Sequence, residues 1–431
     1  MSTEENRDKE YKKVVVAGLD GVPYTLLLEY MERGVMPELK ELCRGGKLIR
    51  MSSSLPEVSS VAWTGFMTGR NPGEHGIFGF MELDRQSYGY TFPNFTTLKE
   101  RPVWERNNIK TVAFNIPQTY PALPMNGVMV SGFVALDLKK ATYPDRVFSY
   151  LSERGYRLDV DARLAGENPE AFFADLFEVF RKRREAIEYL YDNEEWQLFI
   201  GTITETDRLH HFFYDSAREG QYFAVFERFY RELDGFIGNL ARKAERDGAL
   251  FMTCSDHGFT PISTEVYLNR WLVESGYLER DGGEGLKGMT SSSRAFCLDP
   301  SRIYLHLEGK YKKGRVQQKE YRSLLDELKG QFLEIAFEGR KVIKEAYRRE
   351  EIFHGRYAEN GPDLYLLPHY GFDLKGSVDR SSVFGTSRFR GMHTYDDAHL
   401  FVSDGALVQE DEQWSIERVL TGAHYTLNTA A

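Results

Sequence analysis

Four short, nearly continuous apolar runs constrain the fold more than any other feature of this sequence. An apolar run that does not alternate with polar residues is typical of a strand buried on both faces, as in parallel sheets. The four runs are Val14–Leu19, Thr111–Ile116, Leu198–Ile203 and Ala249–Cys254. They predict the interior strands of one parallel sheet.

Helical patterns separate these runs. Residues 23–32 begin with proline and are followed by Gly34, a start and a stop signal for a helix. Pro169–Asn193 and Phe223–Arg246 carry apolar residues at three- and four-residue spacings, as amphipathic helices do. The alternation predicts an α/β fold with a doubly wound, mostly parallel central sheet flanked by helices.

The character of the chain changes between about Thr260 and Thr386, where glycine- and lysine-rich turns are frequent. One helix is predicted at Gln317–Leu333, and short strands at Arg302–Leu307 and Asp363–Leu367. We therefore expect a core formed by residues 1–260 and 387–431, with residues 261–386 inserted as a cap or specificity region.

Composition limits the class of partner. The 431 residues include 55 Lys+Arg and 65 Asp+Glu, a net charge of −10 that argues against a nucleic-acid footprint. No apolar stretch approaches the about 20 residues of a membrane span. The three cysteines are too few and scattered for a disulfide framework, and the polar N-terminus lacks a signal-peptide pattern. We expect a cytoplasmic protein.

Acidic residues follow three of the four predicted strands. Asp20 stands after the first strand, Asp207 after the third, and Asp256 with His257 after the fourth. The carboxyl ends of parallel strands line one edge of a sheet, where ligands bind. We therefore expect these carboxylates to converge.

Buried carboxylates are costly unless they are paired or bound to metal. Asp207 and His211 are four residues apart, so on a helix they share a face and can hold one ion. Oxygen and imidazole ligands suit zinc or manganese. The alternative is a set of helix N-caps with core histidines.

The sequence also offers a hydroxyl group that could act together with the predicted metal ligands. Ser59 and Ser60 follow Pro56 and precede a predicted helix, Val61–Met67. The dipole and free N–H groups of a helix N-terminus favour an alkoxide and a bound phosphate. A serine in this position is otherwise an ordinary N-cap.

Five segments in order resemble the motifs of the alkaline phosphatase superfamily, specifically its type I phosphodiesterase/nucleotide pyrophosphatase branch. The resemblance runs from Val14 to about Asp404, and its motifs are GLDG, PEVSSVAWTGFMTGRNPGEHGIF, TETDRLHHFF, TCSDHGF and GMHTYDDAHLFVS.

The resemblance implies two divalent metal ions held on a central sheet. Zinc is the first choice for these ions, and manganese is the second. The resemblance implies that one ion is bound by Asp20, Asp256 and His257 together with the nucleophile Ser59. It implies that the other is bound by Asp207, His211 and His393. The family spacing selects His211 rather than His210, whose expected role is structural.

The sequence lacks one hydrogen-bond donor that diesterases of the family use to bind the oxyanion. Diesterases of the family carry an asparagine just after the Gly-Ile of the nucleophile motif, whereas Gly76–Phe80 has none. Arg388 and Arg390 could donate to a phosphate oxygen instead. We expect them to bind the substrate, with ordinary surface arginines as the alternative.

The resemblance implies a two-metal phosphoesterase acting on a phosphodiester, pyrophosphate or phosphomonoester through a phosphoserine on Ser59. Its partner would be a small-molecule phosphate ester or nucleotide. One alternative is a phosphoryl transferase or mutase of the same superfamily. The other is a non-catalytic, metal-stabilised protein that binds a phosphate ligand.

Overall fold

A central sheet organises the molecule. The structure, a computed structural model, describes residues 11–409 and 412–422. Within these residues the central sheet has eight strands, which lie in the spatial order Lys47–Met51, Ala398–Val402, Leu250–Cys254, Val14–Leu19, Leu198–Ile203, Thr111–Ile116, Gly127–Ser131 and Thr142–Tyr143. The interior pairings are parallel, and antiparallel pairs occur towards the two edges.

Both faces of this sheet are covered, which explains the continuous apolar runs. In the strand Val14–Leu19, Val15 and Ala17 point into one hydrophobic cluster, whereas Val14 and Val16 point into another. Successive side chains of a strand alternate between faces, so both sets must be apolar when helices cover both. The mostly parallel α/β fold predicted from the sequence is confirmed.

The predicted elements match the structure closely. Three of the four predicted strands have the expected ends, and the fourth begins at Leu250 rather than Ala249. The first helix begins at Tyr24, after Pro23. The long helices Pro169–Asn193 and Phe223–Arg246 are observed as predicted; the first carries Pro169 in its first turn and is capped by the Asn168 side chain.

The remaining α-helices surround the sheet or belong to the segments that follow it. They are Pro37–Leu42, Ser59–Thr68, Pro72–His75, Val103–Arg106, Asp145–Glu153, Leu164–Glu167, Glu205–Phe213, Leu268–Glu274, Tyr321–Glu334 and Arg349–Ile352. Among the described residues, none of the helices is both long and apolar enough to cross a bilayer.

A further hydrophobic cluster forms what we call the second lobe, residues 264–385 together with the hairpin Glu82–Leu83 and Tyr90–Thr91. In the described chain its largest sheet has four strands, in the order Ala295–Leu298, Arg302–Leu305, Leu364–Pro368 and Ile343–Arg348. Shorter pairings join Thr264–Tyr267 to Phe372–Lys375 and Phe384–Gly385, and Ala336–Phe337 to Arg340–Lys341. The division at residues 261 and 386 stays a prediction.

One antiparallel pair links the two parts. Gly258–Pro261 leaves the central sheet and pairs with Gly391–Thr394, which returns the chain to it. In this pairing Phe259 lies opposite His393, so the returning segment comes to the carboxyl edge of the central sheet.

Candidate active site

Three neighbouring strands of the central sheet deliver the acidic residues of the site. Asp20 follows Val14–Leu19, and Asp256 follows the adjacent strand Leu250–Cys254. Asp207 lies in the first turn of the helix that follows the strand on the other side. Because the three strands are parallel, their carboxyl ends meet at one edge. The structure thus brings the three carboxylates together.

Ser59 lies at this edge. It is the first residue of the helix Ser59–Thr68, two residues before the predicted start at Val61. Its Oγ is 3.3 Å from Oδ1 of Asp20 and 3.3 Å from Nε2 of His257. The N-cap position belongs to Val58, so the Ser59 hydroxyl faces the acidic edge from the N-terminal turn, where the helix dipole favours negative charge.

Trp63 orients the first carboxylate. Its indole Nε1 donates to Oδ2 of Asp20 at 3.2 Å, and the ring is fully buried. A Cβ at Gly18 would stand 2.6 Å from the Trp63 ring, so only glycine allows the indole to approach the strand this closely. The backbone N–H of Gly21 donates to Oδ1 of Asp256 at 3.0 Å.

A second group of ligand-type side chains lies beside the first. Oδ1 of Asp207 is 3.3 Å from Nε2 of His211, one turn along the same helix. The same oxygen is 3.4 Å from Nε2 of His393, and the two imidazole Nε2 atoms are 3.0 Å apart. The ring of His393 stacks on that of His257 with centroids 3.6 Å apart, so the two groups are contiguous.

The imidazoles of both groups are oriented by backbone carbonyls. Nδ1 of His393 donates to the carbonyl oxygen of Glu57 at 2.9 Å. Nδ1 of His211 and Nδ1 of His257 donate in the same way to Gly391 at 3.3 Å and Gly258 at 3.1 Å. A proton on Nδ1 leaves the lone pair on Nε2, which is the arrangement that a metal-binding histidine needs.

His210 is turned away from this group. Its Nδ1 is 3.0 Å from the carbonyl oxygen of Gly21, and its Nε2 is 2.8 Å from the hydroxyl of Tyr230. Both ring nitrogens are therefore used inside the protein. Burial lowers the pKa of this imidazole to about 3, so it stays neutral.

The pKa values of two of these carboxyl groups show that their charged forms are unfavourable without a nearby cation. Burial, reinforced by the neighbouring charges of Asp256 and Asp207, raises the pKa of Asp20 well above its usual range. Burial also raises the pKa of Asp256 to about 6. Within the described residues, Oδ1 of Asp207 and Oδ2 of Asp256 are buried and accept no hydrogen bond. Such oxygens are costly unless a cation binds them.

The donor set fits divalent ions. Among the described residues, two groups place their ligand atoms within 4.8 Å of one another. The first contains Asp207, His211 and His393; the second contains Asp20, Asp207 and His257, so Asp207 lies between them. Asp256 is not in the second group, although its Oδ2 is 3.3 Å from Nε2 of His257. Carboxylate and imidazole ligands in this number suit zinc or manganese.

A cavity of about 320 Å³ opens over the two groups. The wall on the side of the central sheet includes Asp20, Ser59, Asp207 and His393, together with Phe80 and Phe133. The opposite wall comes from the second lobe and includes Asp299, Pro300, Ser301, Asp373 and Lys375. A substrate bound at Ser59 would therefore contact both parts of the molecule.

Arg388 and Arg390 do not line this cavity. They line a neighbouring surface cleft, where Nε of Arg390 is 3.8 Å from a carboxylate oxygen of Asp215. Only their neighbour Phe389 reaches the wall of the active-site cavity. The cationic side chains that line the cavity in the described chain are instead Arg208 and Lys375.

Sequence reasoning also missed Glu57 in the cavity wall. Its buried carboxylate accepts a hydrogen bond from Tyr365, and burial raises its pKa. A signal was available for two of the missed residues, because Glu57 and Arg208 lie within the nucleophile and Asp207 motifs. Lys375 lies outside every motif.

Comparison with known proteins gives one family. Residues 14–396 match the type I phosphodiesterase/nucleotide pyrophosphatase family. None of the curated proteins matches the sequence.

Solved structures of low sequence identity share the fold. Phosphonoacetate hydrolase from Sinorhizobium meliloti 1021 has a TM-score of 0.63 at 14% identity, covering 94% of this chain and 93% of that one. Murine ectonucleotide pyrophosphatase/phosphodiesterase 5 has a TM-score of 0.55 at 13% identity, covering 95% and 92%. At these identities the likeness concerns the fold.

Proposed function

Because the chain belongs to the type I phosphodiesterase/nucleotide pyrophosphatase family, we propose that it hydrolyses a small-molecule phosphate ester through a phosphoserine on Ser59. Membership indicates a phosphoester hydrolase. The nucleophile, the intermediate and the two metal ions are the further content of the proposal.

The contact geometry of Ser59 is the observation that carries the proposal. Its hydroxyl lies 3.3 Å from both Asp20 and His257, at a helix N-terminus that opens into the cavity. A serine that merely capped the helix would turn its oxygen to the N–H groups of its own first turn.

Two divalent ions, Zn²⁺ or Mn²⁺, complete the site in this proposal. Asp20, Asp256 and His257 would hold one of them beside Ser59. Asp207, His211 and His393 would hold the other. When bound, the ions would lower the pKa of the hydroxyl and of water and neutralise charge that develops on the phosphoryl and leaving oxygens.

The reaction has two displacements. Ser59 Oγ, held by Asp20 and His257, gives its proton to solvent and attacks phosphorus opposite the leaving group; the P–O bond to that group breaks, and the departing oxygen takes up a proton from water. The phosphoryl group is then carried on Ser59. Water attacks the phosphoserine from the vacated side, the P–Oγ bond breaks, and Oγ takes up a proton; a monoester substrate releases phosphate and a diester substrate releases a phosphomonoester. Two inversions give overall retention at phosphorus.

We also propose a cytoplasmic location. The three cysteines are free. Cys254 is buried in a cluster on one face of the central sheet, and Cys297 is buried in the cluster of the second lobe. Free, buried cysteines suit a reducing compartment.

The test is hydrolysis of p-nitrophenyl phosphate and bis-p-nitrophenyl phosphate by chelator-treated protein that is resupplied with Zn²⁺ or Mn²⁺. Phosphonoacetate is a third substrate, since a structural relative is a hydrolase of that compound. We expect metal-dependent turnover that Ser59→Ala abolishes and an acid-stable phosphoryl group on the Ser59 peptide by mass spectrometry.

Ser60→Ala is the matched control. Ser60 is fully buried next to Ser59, and its hydroxyl finds no hydrogen-bond partner among the described residues, so its loss should leave turnover intact. Full activity in Ser59→Ala would contradict the proposal. A wild-type protein that binds two ions but turns over none of these compounds would favour a transferase or a binding protein.

A further inference from the structure

Arg208 lines the active-site cavity, and the reaction scheme above gives it no role. Its guanidinium is fixed along one edge by Asp159. Nε donates to Oδ1 of that carboxylate at 3.1 Å and Nη2 donates to Oδ2 at 2.5 Å. The guanidinium also stacks on the Phe133 ring, 4.3 Å from its centroid. A two-pronged ion pair and a stacked face leave this side chain little freedom to rotate.

The other edge of the guanidinium forms an ion pair with Asp207 but donates no hydrogen bond to a described residue. Nη1 lies 3.7 Å from Oδ2 of Asp207, beyond hydrogen-bond reach, and no described residue accepts a hydrogen bond from it. The side chain is only 16% exposed, so solvent access is limited. A largely buried N–H donor that faces a cavity normally has an acceptor there. Nη1 is therefore available to an acceptor on a molecule bound in the cavity.

This edge lies beside the reacting hydroxyl. Asp207, the nearest group to Nη1, contributes a carboxylate oxygen within 4.8 Å of ligand atoms from Asp20 and His257. Ser59 Oγ is 3.3 Å from those same two side chains. Ser59 and Arg208 line the same cavity, so one phosphoryl group bound there can contact both side chains.

The rest of the wall offers few alternative donors. The charged side chains nearest Ser59 are carboxylates, and Phe80 and Phe133 are apolar. The other cation in the described cavity wall, Lys375, donates to a carboxylate oxygen of Asp373 at 2.9 Å. Of these two cations, Arg208 is the one whose donor is held in a fixed orientation, by Asp159 and Phe133.

We propose that Arg208 binds a non-bridging oxygen of the substrate's phosphoryl group through Nη1 and thereby favours dianionic, terminal phosphoryl groups over monoanionic diesters. This inference rests on the proposed function, because it assumes that the phosphoryl group is presented to Ser59. With Asp159 behind it, the ion pair is a dipole whose positive end faces the cavity. A charge-assisted hydrogen bond strengthens as its acceptor gains negative charge.

The first experiment needs no turnover. Inorganic phosphate is titrated calorimetrically into protein saturated with Zn²⁺, and metal content is measured for every variant. We expect Arg208→Gln to keep two ions per chain and to weaken phosphate binding by roughly 100-fold, the usual cost of losing one preorganised anion donor. Asp159→Asn, which loosens the guanidinium without removing it, should weaken binding by roughly tenfold.

Arg163→Gln is the matched control. Arg163 forms the same kind of two-pronged pair with Asp161, at 3.1 and 2.9 Å, but its side chain is 83% exposed on the surface. Its loss should leave phosphate affinity unchanged. An unchanged affinity in Arg208→Gln with both ions bound would overturn the proposal.

The second experiment compares the two p-nitrophenyl esters. Arg208→Gln should lower kcat/KM for the dianionic monoester by roughly 100-fold and for the monoanionic diester by less than about tenfold. Equal losses for both esters would overturn the charge preference. If wild-type protein hydrolyses neither ester, the proposed function fails, while the phosphate titration still decides whether Arg208 is an anion-binding residue.

Discussion

Buried charges are treated differently in the second lobe and at the carboxyl edge of the central sheet. In the second lobe, the fully buried Arg302 pairs with Glu82 at 2.7 Å and donates to the carbonyl oxygens of Met81 and Asp299 at 2.6 Å each. At the sheet edge, Asp207 and Asp256 each keep a buried carboxylate oxygen that accepts no hydrogen bond from any described residue.

The difference indicates which buried charges stabilise the fold and which are available to bind a ligand. A buried ion whose partners all come from the protein stabilises one arrangement of the chain, and removing a partner is costly. A buried carboxylate without such partners is costly unless a cation binds it or it takes up a proton. Arg302 ties the segment that carries Asp299 to the segment that carries Met81, whereas the carboxylates of the sheet edge are set for cations.

Asp207→Asn should have the largest effect on activity. This side chain belongs to both metal-ligand groups, so an amide in its place weakens both. We expect metal content below two ions per chain and kcat/KM lower by about a thousandfold, because a metal supplies several kcal/mol of transition-state stabilisation. Metal analysis and ester hydrolysis check this, and two tightly bound ions in the variant would break the comparison.

Arg302→Met should have the largest effect on stability. It leaves Glu82 without its partner and removes the bonds to two carbonyl groups, so we expect a loss of about 3 kcal/mol in the free energy of unfolding. Urea denaturation measures it. Arg322→Met is the control, because Arg322 pairs with Glu350 on the surface, where such pairs contribute about 0.5 kcal/mol. Equal losses in the two variants would contradict our account of Arg302.

Asp256→Asn should act with opposite signs in metal-free and metal-loaded protein. Without ions, the amide removes a buried charge whose desolvation is unfavourable, so the melting temperature should not fall. With ions at 100 times their Kd, wild type should gain about 2.7 kcal/mol for each bound ion, and the variant should gain less. Thermal unfolding with and without Zn²⁺ tests both signs; a variant destabilised equally in both states would show that Asp256 is a structural group.

The smallest effect is expected from the two adjacent histidines. His210→Gln should lower the free energy of unfolding by about 1 kcal/mol through its bond to Gly21 or Tyr230, with both ions retained. His211→Gln should lower metal content with little change in metal-free stability. The reverse pattern in calorimetry and metal analysis would mean that the two roles are exchanged.

Much of the fold could be read from the sequence because its signals are local. The strands buried on both faces need apolar residues at every position, and Val14–Leu19 has them. Pro169 and Asn168 mark the start of the longest helix. The spacing of four residues between Asp207 and His211 likewise depends only on helix geometry.

The missed parts of the site depend on distant contacts. Arg208 lies within a recognised motif, but its role depends on Asp159, which is 49 residues earlier, and on the ring of Phe133. Lys375 reaches the cavity only because the second lobe folds over the sheet edge. Arg388 and Arg390 lie close to His393 in the sequence, which suggested that they bind the substrate. In the structure they line a different cleft.

One wall of the cavity comes from the carboxyl edge of the central sheet, and the other wall comes from the second lobe. Ser59 and the candidate metal ligands lie at the carboxyl edge of the central sheet, whereas Asp299 to Ser301 and Lys375 lie on the second lobe. Substitutions in the second lobe can change which leaving group fits while the nucleophile and its neighbours keep their positions. In the proposed reaction, the residues that react and the residues that would contact the leaving group thus lie on separate pieces of the chain, so substrate choice can change through substitutions that leave the reacting residues in place.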